Sequence, residues 1–452
     1  MRRRWLVMLV VAALLQGLLV MKQALYPTLL QAHGYAGRPL GTFIQPNLLG
    51  SFLATGLVCA LTLARTVRDN RVRLLGSVAL VVLPGVLVLV QSRAGMLGAL
   101  LAVVLWRVPQ EEGANLAGVV SARRSSSLMM AGVVLGLLWL YAAPWLFPGH
   151  SLRLISKDSS DSARLYMLRL TWQLIQAHPF TGHGYGTFEG LFGQMAQTRP
   201  PGLEADTVTH PHNELLYTWM EGGLVAIAGL LLMVVAILRR LWSRGGAGLA
   251  GLALLLPLAV HINLEYPLYQ SLTHGLLLVL LLVITGPDAT VDIPVSFWPV
   301  PDATPATRTH RLLWRMAPAW LACLVVLFML SGLVSQQRLA HLERAGLQPL
   351  VTREAVTLSG LPNPYAVWER LDFDRHVALL LRYNRTQDPQ LLTQFRNWAT
   401  VWLRYHNDPQ VYHSLLMIDL AQQRPGTEAL CQQAHGRWPT RPDFICSMKD
   451  MR

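Results

Sequence analysis

Arg93 stands in Gln91-Ser92-Arg93-Ala94-Gly95, between apolar runs at 74–90 and 94–106 that hold no charge. A guanidinium near the bilayer costs roughly 2.5–3.5 kcal/mol on insertion scales, so an arginine there marks a site. The second run has 13 residues. As helix it spans only about 20 Å of a hydrocarbon core nearer 30 Å, which draws Arg93 inward. At that depth the planar fork of donors suits a lipid-borne phosphate.

A second group of reactive side chains follows. His210-Pro211-His212-Asn213-Glu214 immediately precedes an apolar run at 215–238. Pro211 and Asn213 read as a helix start, which leaves His212 at the membrane surface with an imidazole able to exchange protons near neutral pH. Glu221-Gly222-Gly223 comes two turns later, and Glu214 and Glu221 share a helix face. A carboxylate at that depth needs a partner, and an arginine or a histidine would serve. Asp161-Ser162-Ala163-Arg164 opens an amphipathic segment whose apolar face is Leu165, Leu168, Trp172 and Ile175. Such a segment can lie on the membrane and aim Arg164 inward. The stretch from His178 to Gly186, with His183 at its centre, is a glycine-rich turn that lets backbone approach a ligand.

Each of these has a plainer reading. Arg93 snorkels or caps a helix end; His212 is an interfacial histidine; Arg164 touches lipid headgroups; the glycine-rich stretch is only a turn. Their common location outweighs any one of them.

The elements that must position them are membrane helices. The chain has 452 residues, 52% hydrophobic and 14% charged, against roughly a quarter charged in soluble domains. Nine candidate spans emerge at 5–21, 48–64, 74–91, 94–106, 127–147, 215–238, 247–263, 268–285 and 317–335. Met1-Arg2-Arg3-Arg4 before an apolar run with no small-x-small cleavage site reads as an uncleaved first helix. With a cytoplasmic N-terminus, the inward loops hold Arg65, Arg68, Arg71 and Arg73, then Arg107, Arg123 and Arg124, then Arg239, Arg240 and Arg244, then Arg308, Arg311 and Arg315. The positive-inside rule is met at every short loop. The net charge of +13 is therefore a topology signal, and no nucleic-acid motif accompanies it.

Four regions result: N-terminal membrane helices (1–147), a large outward loop (148–213), C-terminal membrane helices (214–335) and an outward helical tail (336–452). In the tail, Asp388-Pro389-Gln390 and Asp408-Pro409-Gln410 each look like an N-cap aspartate with proline in the first turn. Between them Leu392, Phe395, Trp398, Ala399 and Trp402 recur at helical spacing, which suggests packed helical hairpins. Cys59 and Cys323 fall in spans as packing residues; Cys431 and Cys446 fall in the tail, where an oxidising compartment permits a disulfide. No Cys/His cluster has zinc spacing, no Walker loop is present, and loop 22–47 lacks any carboxylate.

Five segments together resemble the bacterial O-antigen ligase and polymerase superfamily, particularly its protein (pilin-type) O-oligosaccharyltransferase branch. They are Gly41-Thr42-Phe43-Ile44-Gln45-Pro46-Asn47-Leu48; Ser92-Arg93-Ala94-Gly95; the 179–188 stretch; His212-Asn213 through Glu221-Gly222-Gly223; and Leu264-Glu265-Tyr266-Pro267-Leu268. Family members carry several more spans before the Gln-Pro-Asn segment, so a partner or a shorter wall is expected at the donor-lipid groove.

The resemblance implies an all-α polytopic membrane protein of about nine transmembrane helices, O-antigen-ligase-like and GT-C in type, with a periplasmic helical tail. It implies residence in the bacterial inner membrane. It implies an inverting, metal-independent transfer, without cofactor, of a glycan from undecaprenyl diphosphate to a Ser or Thr hydroxyl of a pilin-like protein. Arg93 and Arg164 would hold the diphosphate, and His212 would position or deprotonate the acceptor hydroxyl. Glu221 would orient the site, while Asn47, Gln45, Asn213, Glu265, Tyr266 and His183 would line it. The rival readings are a ligase acting on lipid A–core or an O-antigen polymerase, and more distantly a transporter for a polyprenyl-linked sugar. The last predicts symmetry between halves, which the sequence lacks.

Overall fold

The computed structural model describes residues 2–26, 38–67, 69–107, 121–146, 158–195, 208–286, 305–439, 441 and 444. Among these residues every regular element is helical. In chain order the first are α1 (Arg2–Leu25), α2 (Pro46–Thr66), α3 (Asn70–Val90), α4 (Arg93–Arg107), α5 (Ala122–Leu146), α6 (Asp158–Ala177) and α7 (Phe188–Met195). Then come α8 (Glu214–Trp242), α9 (Gly245–Ile262), α10 (Pro267–Gln270), α11 (Leu272–Ile284) and α12 (Pro305–Arg344). The last five are α13 (Gln348–Ser359), α14 (Trp368–Thr386), α15 (Pro389–Tyr405), α16 (Pro409–Ala421) and α17 (Thr427–Arg437), with a 3-10 turn at Pro364–Val367 before α14.

Seven described helices are long and apolar enough to cross a membrane: α1, α2, α3, α5, α8, α9 and the 319–344 part of α12. The chain is thus a multi-pass membrane protein, with a corrected count. Two of the nine expected spans are helices too short to cross straight, α4 with 15 residues and α11 with 13. The expected 268–285 span is interrupted because Ser271 takes extended backbone between α10 and α11 (φ −144°, ψ 106°), with its hydroxyl 2.9 Å from His274 Nδ1.

The chain divides into two compact units, residues 1–188 with 199–288, and residues 189–198 with 289–452. In the first, α2 is the central helix, and α1, α3, α4 and α9 pack around it. Its Leu53, Val58, Cys59, Ala60, Leu61 and Leu63 are wholly buried. On the outer helices Leu135, Leu138, Leu232 and Val279 are exposed, as lipid-facing residues should be.

In the second unit α14 to α17 each pack on the next. Asp388 and Asp408 cap α15 and α16 as their spacing predicts, accepting from the amides of Gln390 and Gln410 at 2.9 Å. Phe395, Ala399, Leu403, Tyr412, Leu415 and Leu416 form the core. Cys431 is buried there and disulfide-bonded, whereas Cys446 lies outside the described residues. Cys59 is buried and free; Cys323 is free but exposed, which corrects its expected packing role.

Candidate active site

The first contacts are made by helix starts. Gln45 is extended and Pro46 opens α2, which puts Asn47 in the first turn. Ser92 plays the corresponding part for α4, its hydroxyl accepting from the Gly95 amide at 3.2 Å. The two starts meet because Gly50 and Gly95 face each other. A Cβ on Gly95 would sit 2.6 Å from the Gly50 carbonyl carbon, so the approach requires glycine. Across that contact Ser92 Oγ donates to Asn47 Oδ1 at 2.9 Å, and Asn47 Nδ2 donates to Glu265 Oε1 at 3.0 Å.

Glu265 is the centre of the cluster. It follows α9 in a turn held by its own amide donating to the His261 carbonyl at 2.8 Å, and it is 1% exposed. Arg164, from the first turns of α6, forms an ion pair with Oε1, and His212 Nδ1 lies 2.7 Å from Oε2. Burial acts to raise the Glu265 carboxyl pKa. The close approach of His212 Nδ1 and the positive charge of Arg164 overcome it and hold the group below its ordinary value. A buried carboxylate between a guanidinium and an imidazole stays ionised, and it fixes both of them.

His212 is set by its backbone as well. Its φ of 59° is left-handed, uncommon for a residue with a Cβ. Asn213, directly after it, caps α8 by accepting from the Leu216 amide at 2.9 Å and donates to the Asn263 carbonyl at 3.2 Å. Tyr266 meets the His212 ring edge-on at 5.0 Å and stacks on His210 at 4.6 Å. Tyr217 and Tyr269 close around His210 at 4.8 and 4.5 Å. Strained backbone held by a cap and an aromatic wall is how a fold aims one side chain.

Arg93 is the first residue of α4, next to Ser92, and its side chain is exposed. A cation at a helix N-terminus opposes the helix dipole, so this placement does nothing for α4 itself. The starts of α2 and α4 meet through Asn47 and Ser92, and the Glu265–His212 pair joins them to the start of α8. Helix N-termini with arginine beside them favour phosphate.

Glu221 and His183 are placed elsewhere. Glu221 is 4% exposed, and its partner is neither arginine nor histidine. Its Oε1 accepts from the amides of Gly186 at 2.9 Å and Phe188 at 3.3 Å. Its own carbonyl accepts from the Gly184 amide at 2.9 Å. Gly223 breaks the α8 helix (φ 65°, ψ −162°), and a Cβ on Gly182 would meet the Glu221 carbonyl oxygen at 2.3 Å. His183 Nε2 lies 2.9 Å from the Leu174 carbonyl. Both side chains serve the glycine-rich loop. Glu214, expected on one face with Glu221, accepts from the Tyr269 hydroxyl at 2.9 Å. On α6 the buried face is Met167, Leu170, Thr171, Leu174 and Ile175. Of the predicted stripe, Leu165 and Trp172 are exposed.

One group escaped the sequence reading. Ser51 Oγ lies 2.7 Å from His261 Nδ1 and 3.0 Å from His274 Nε2, and both imidazoles are wholly buried. The network ties α2, α9 and α11 together one turn beneath Glu265. Histidines inside apolar runs were the available signal.

Comparison with known proteins follows this geometry. The family described as O-Antigen ligase matches residues 77–231, which include Arg93, Arg164, His212 and Glu221. The family described as Virulence factor membrane-bound polymerase, C-terminal, matches residues 249–439, which include Glu265 and most of the second unit. Together these matches support the O-antigen ligase superfamily for this chain. An O-antigen ligase of Salmonella typhimurium is 32% identical over 95 residues, 20% of this chain and 23% of that protein. A general O-oligosaccharyltransferase of Acinetobacter baylyi is 24% identical over 289 residues, 58% of this chain and 47% of that protein. The chain thus spans less than half of either relative. The cluster around Glu265, to which both matched segments contribute, is the candidate site.

Proposed function

We propose that this protein is an inner-membrane glycosyltransferase that moves a glycan from undecaprenyl diphosphate to a Ser or Thr hydroxyl of a pilin-like protein. Its N-terminus is cytoplasmic, and its site and helical tail face the periplasm. The observation that carries the reading is the contact of His212 Nδ1 with the buried Glu265 carboxylate, beside Arg164. Donation from Nδ1–H to Glu265 leaves Nε2 as the acceptor nitrogen, the arrangement a general base requires.

The step balances without a further reagent. The acceptor oxygen attacks the anomeric carbon from the face opposite the diphosphate, and the bond from that carbon to the phosphate oxygen breaks. The electron pair leaves with undecaprenyl diphosphate, while the hydroxyl proton passes to His212 Nε2. Negative charge grows on the leaving diphosphate, where Arg93 and the starts of α2 and α4 stabilise it. Arg164 divides its guanidinium between Glu265 and the donor. Asn47 orients Glu265, Gln45 and Tyr266 line the approach, and Asn213 sets His212. Glu221 and His183 hold the glycine-rich loop as positioning residues.

The protein acceptor is favoured by the likeness to the oligosaccharyltransferase and by the Leu264-Glu265-Tyr266-Pro267 segment. The test presents the purified protein, in nanodiscs, with lipid-linked oligosaccharide and two acceptors side by side, a pilin-like protein and lipid A–core. Intact mass spectrometry should find the glycan on the protein, with EDTA making no difference. Product on lipid A–core alone would replace this reading with that of a ligase.

A further inference from the structure

The second unit carries a groove of about 790 Å³ that nothing above has used. Tyr365, Trp368, Phe373 and Trp402 give it aromatic walls, and Gln336 and Glu369 add an amide and a carboxylate. That volume is within the range of small-molecule sites.

The rings differ in exposure. Trp402 stacks on His406 at 3.8 Å and on Trp398 at 5.0 Å, with Phe373 at 5.5 Å. Trp398 in turn stacks on His376 at 4.6 Å and donates to Asp372 at 2.7 Å. The inner wall is therefore a fixed ladder of flat faces. At the rim Tyr365 and Trp368 are 79% and 55% exposed. These exposed rings offer flat apolar faces to a ligand. Trp402 Nε1 is buried and finds no hydrogen-bond partner among the described residues. The Glu369 side chain is 73% exposed and meets His406 Nε2 at 3.7 Å.

Flat rings beside a carboxylate and an amide match one ligand chemistry well. A pyranose has a face of C–H bonds, which the electron-rich aromatic face attracts, and a rim of hydroxyls that donate to carboxylate and accept from N–H. A lipid tail would leave Glu369 and Gln336 unanswered. A peptide added as a strand would need unpaired backbone, which helical walls lack.

We propose that this groove is a saccharide-binding site that takes a sugar unit of the transferred glycan. The proposal rests on the glycosyltransferase reading but not on the identity of the acceptor.

The test is saturation-transfer NMR on the full-length protein in nanodiscs, using as probe the free oligosaccharide released by mild acid from the lipid-linked donor. Sugar ring protons should be saturated. Trp368→Ala should weaken binding about tenfold, the loss of one aromatic anchor, and Glu369→Gln should weaken it less. His212→Ala should leave binding intact, so failed transfer and failed binding are told apart. No saturation, or saturation unchanged in Trp368→Ala with normal protein abundance, overturns the proposal. Displacement of the sugar's signal by an unglycosylated Ser/Thr-rich peptide that itself saturates more strongly overturns it too, and makes the groove a peptide site.

Discussion

Two buried carboxylates at the loop-bearing end of the first unit have opposite surroundings. Glu265 is neutralised by side chains, Arg164 and His212, which are held in place only by their own elements. Glu221 is neutralised by backbone amides of Gly186 and Phe188, which cannot be reassigned without unfolding the loop. Similar burial therefore supports different work. A carboxylate bonded to amides is a fixed joint. One bonded to an imidazole and a guanidinium tunes two groups that can still reach a substrate.

Several substitutions test that contrast, in order of expected effect. His212→Ala removes the base from the Glu265 cluster and should lower transfer by about 10²–10⁴-fold, with membrane insertion and abundance unchanged. Transfer assays normalised to protein level read this directly, and retained activity would remove His212 from the chemistry. Arg93→Lys keeps the charge but loses the fork. A loss of about 10- to 100-fold is expected, equal to one charge-assisted hydrogen bond. Activity near wild type would return Arg93 to a snorkelling role.

Glu221→Ala removes the joint and should act through the loop. Hydrogen exchange at the 182–188 amides should accelerate by roughly tenfold or more, as losing a charged hydrogen bond of about 1.5–3 kcal/mol requires. Transfer should fall less than in His212→Ala. Loss equal to His212→Ala with a protected loop would merge the two carboxylates into one site.

The smallest effect lies in the second unit. Asp374 is buried there, and its pKa is raised from 3.8 to about 7, first by burial and then by the neighbouring Glu343 carboxylate. The folded state thus holds a proton that the unfolded state releases near pH 3.8, so stability falls as pH rises from there towards 7. Asp374→Asn should raise the unfolding temperature at pH 8 and change it little at pH 4. Equal shifts at both values would contradict this. Because Asp374 belongs to the second unit and both buried glutamates to the first, transfer should not change.

Local rules were legible in the sequence, and long-range choices were not. Aspartate–proline pairs at 388 and 408 gave the tail caps, and Asn213 gave the start of α8, because caps involve neighbours along the chain. Asn47, Ser92, Arg164 and His212 meet around Glu265 directly or through one another, but the role of Glu265 as their hub was not legible. Its partners are Asn47, 218 residues away, and Arg164, 101 residues away. Glu221 was expected to seek a cation. Its amide partners depend on the left-handed Gly182 and Gly223, and no residue type announces that pairing. The α11 span was expected as one helix because hydropathy does not register an extended Ser271.

The most direct measurement is the rate of glycan transfer by Glu265→Gln at saturating lipid-linked donor, beside donor binding in the same sample. Glutamine keeps the shape and removes the charge that orients the imidazole and guanidinium. Donor binding should survive, while transfer should fall by about 10²-fold or more. Transfer within a few-fold of wild type would show that the buried carboxylate does not organise the chemistry.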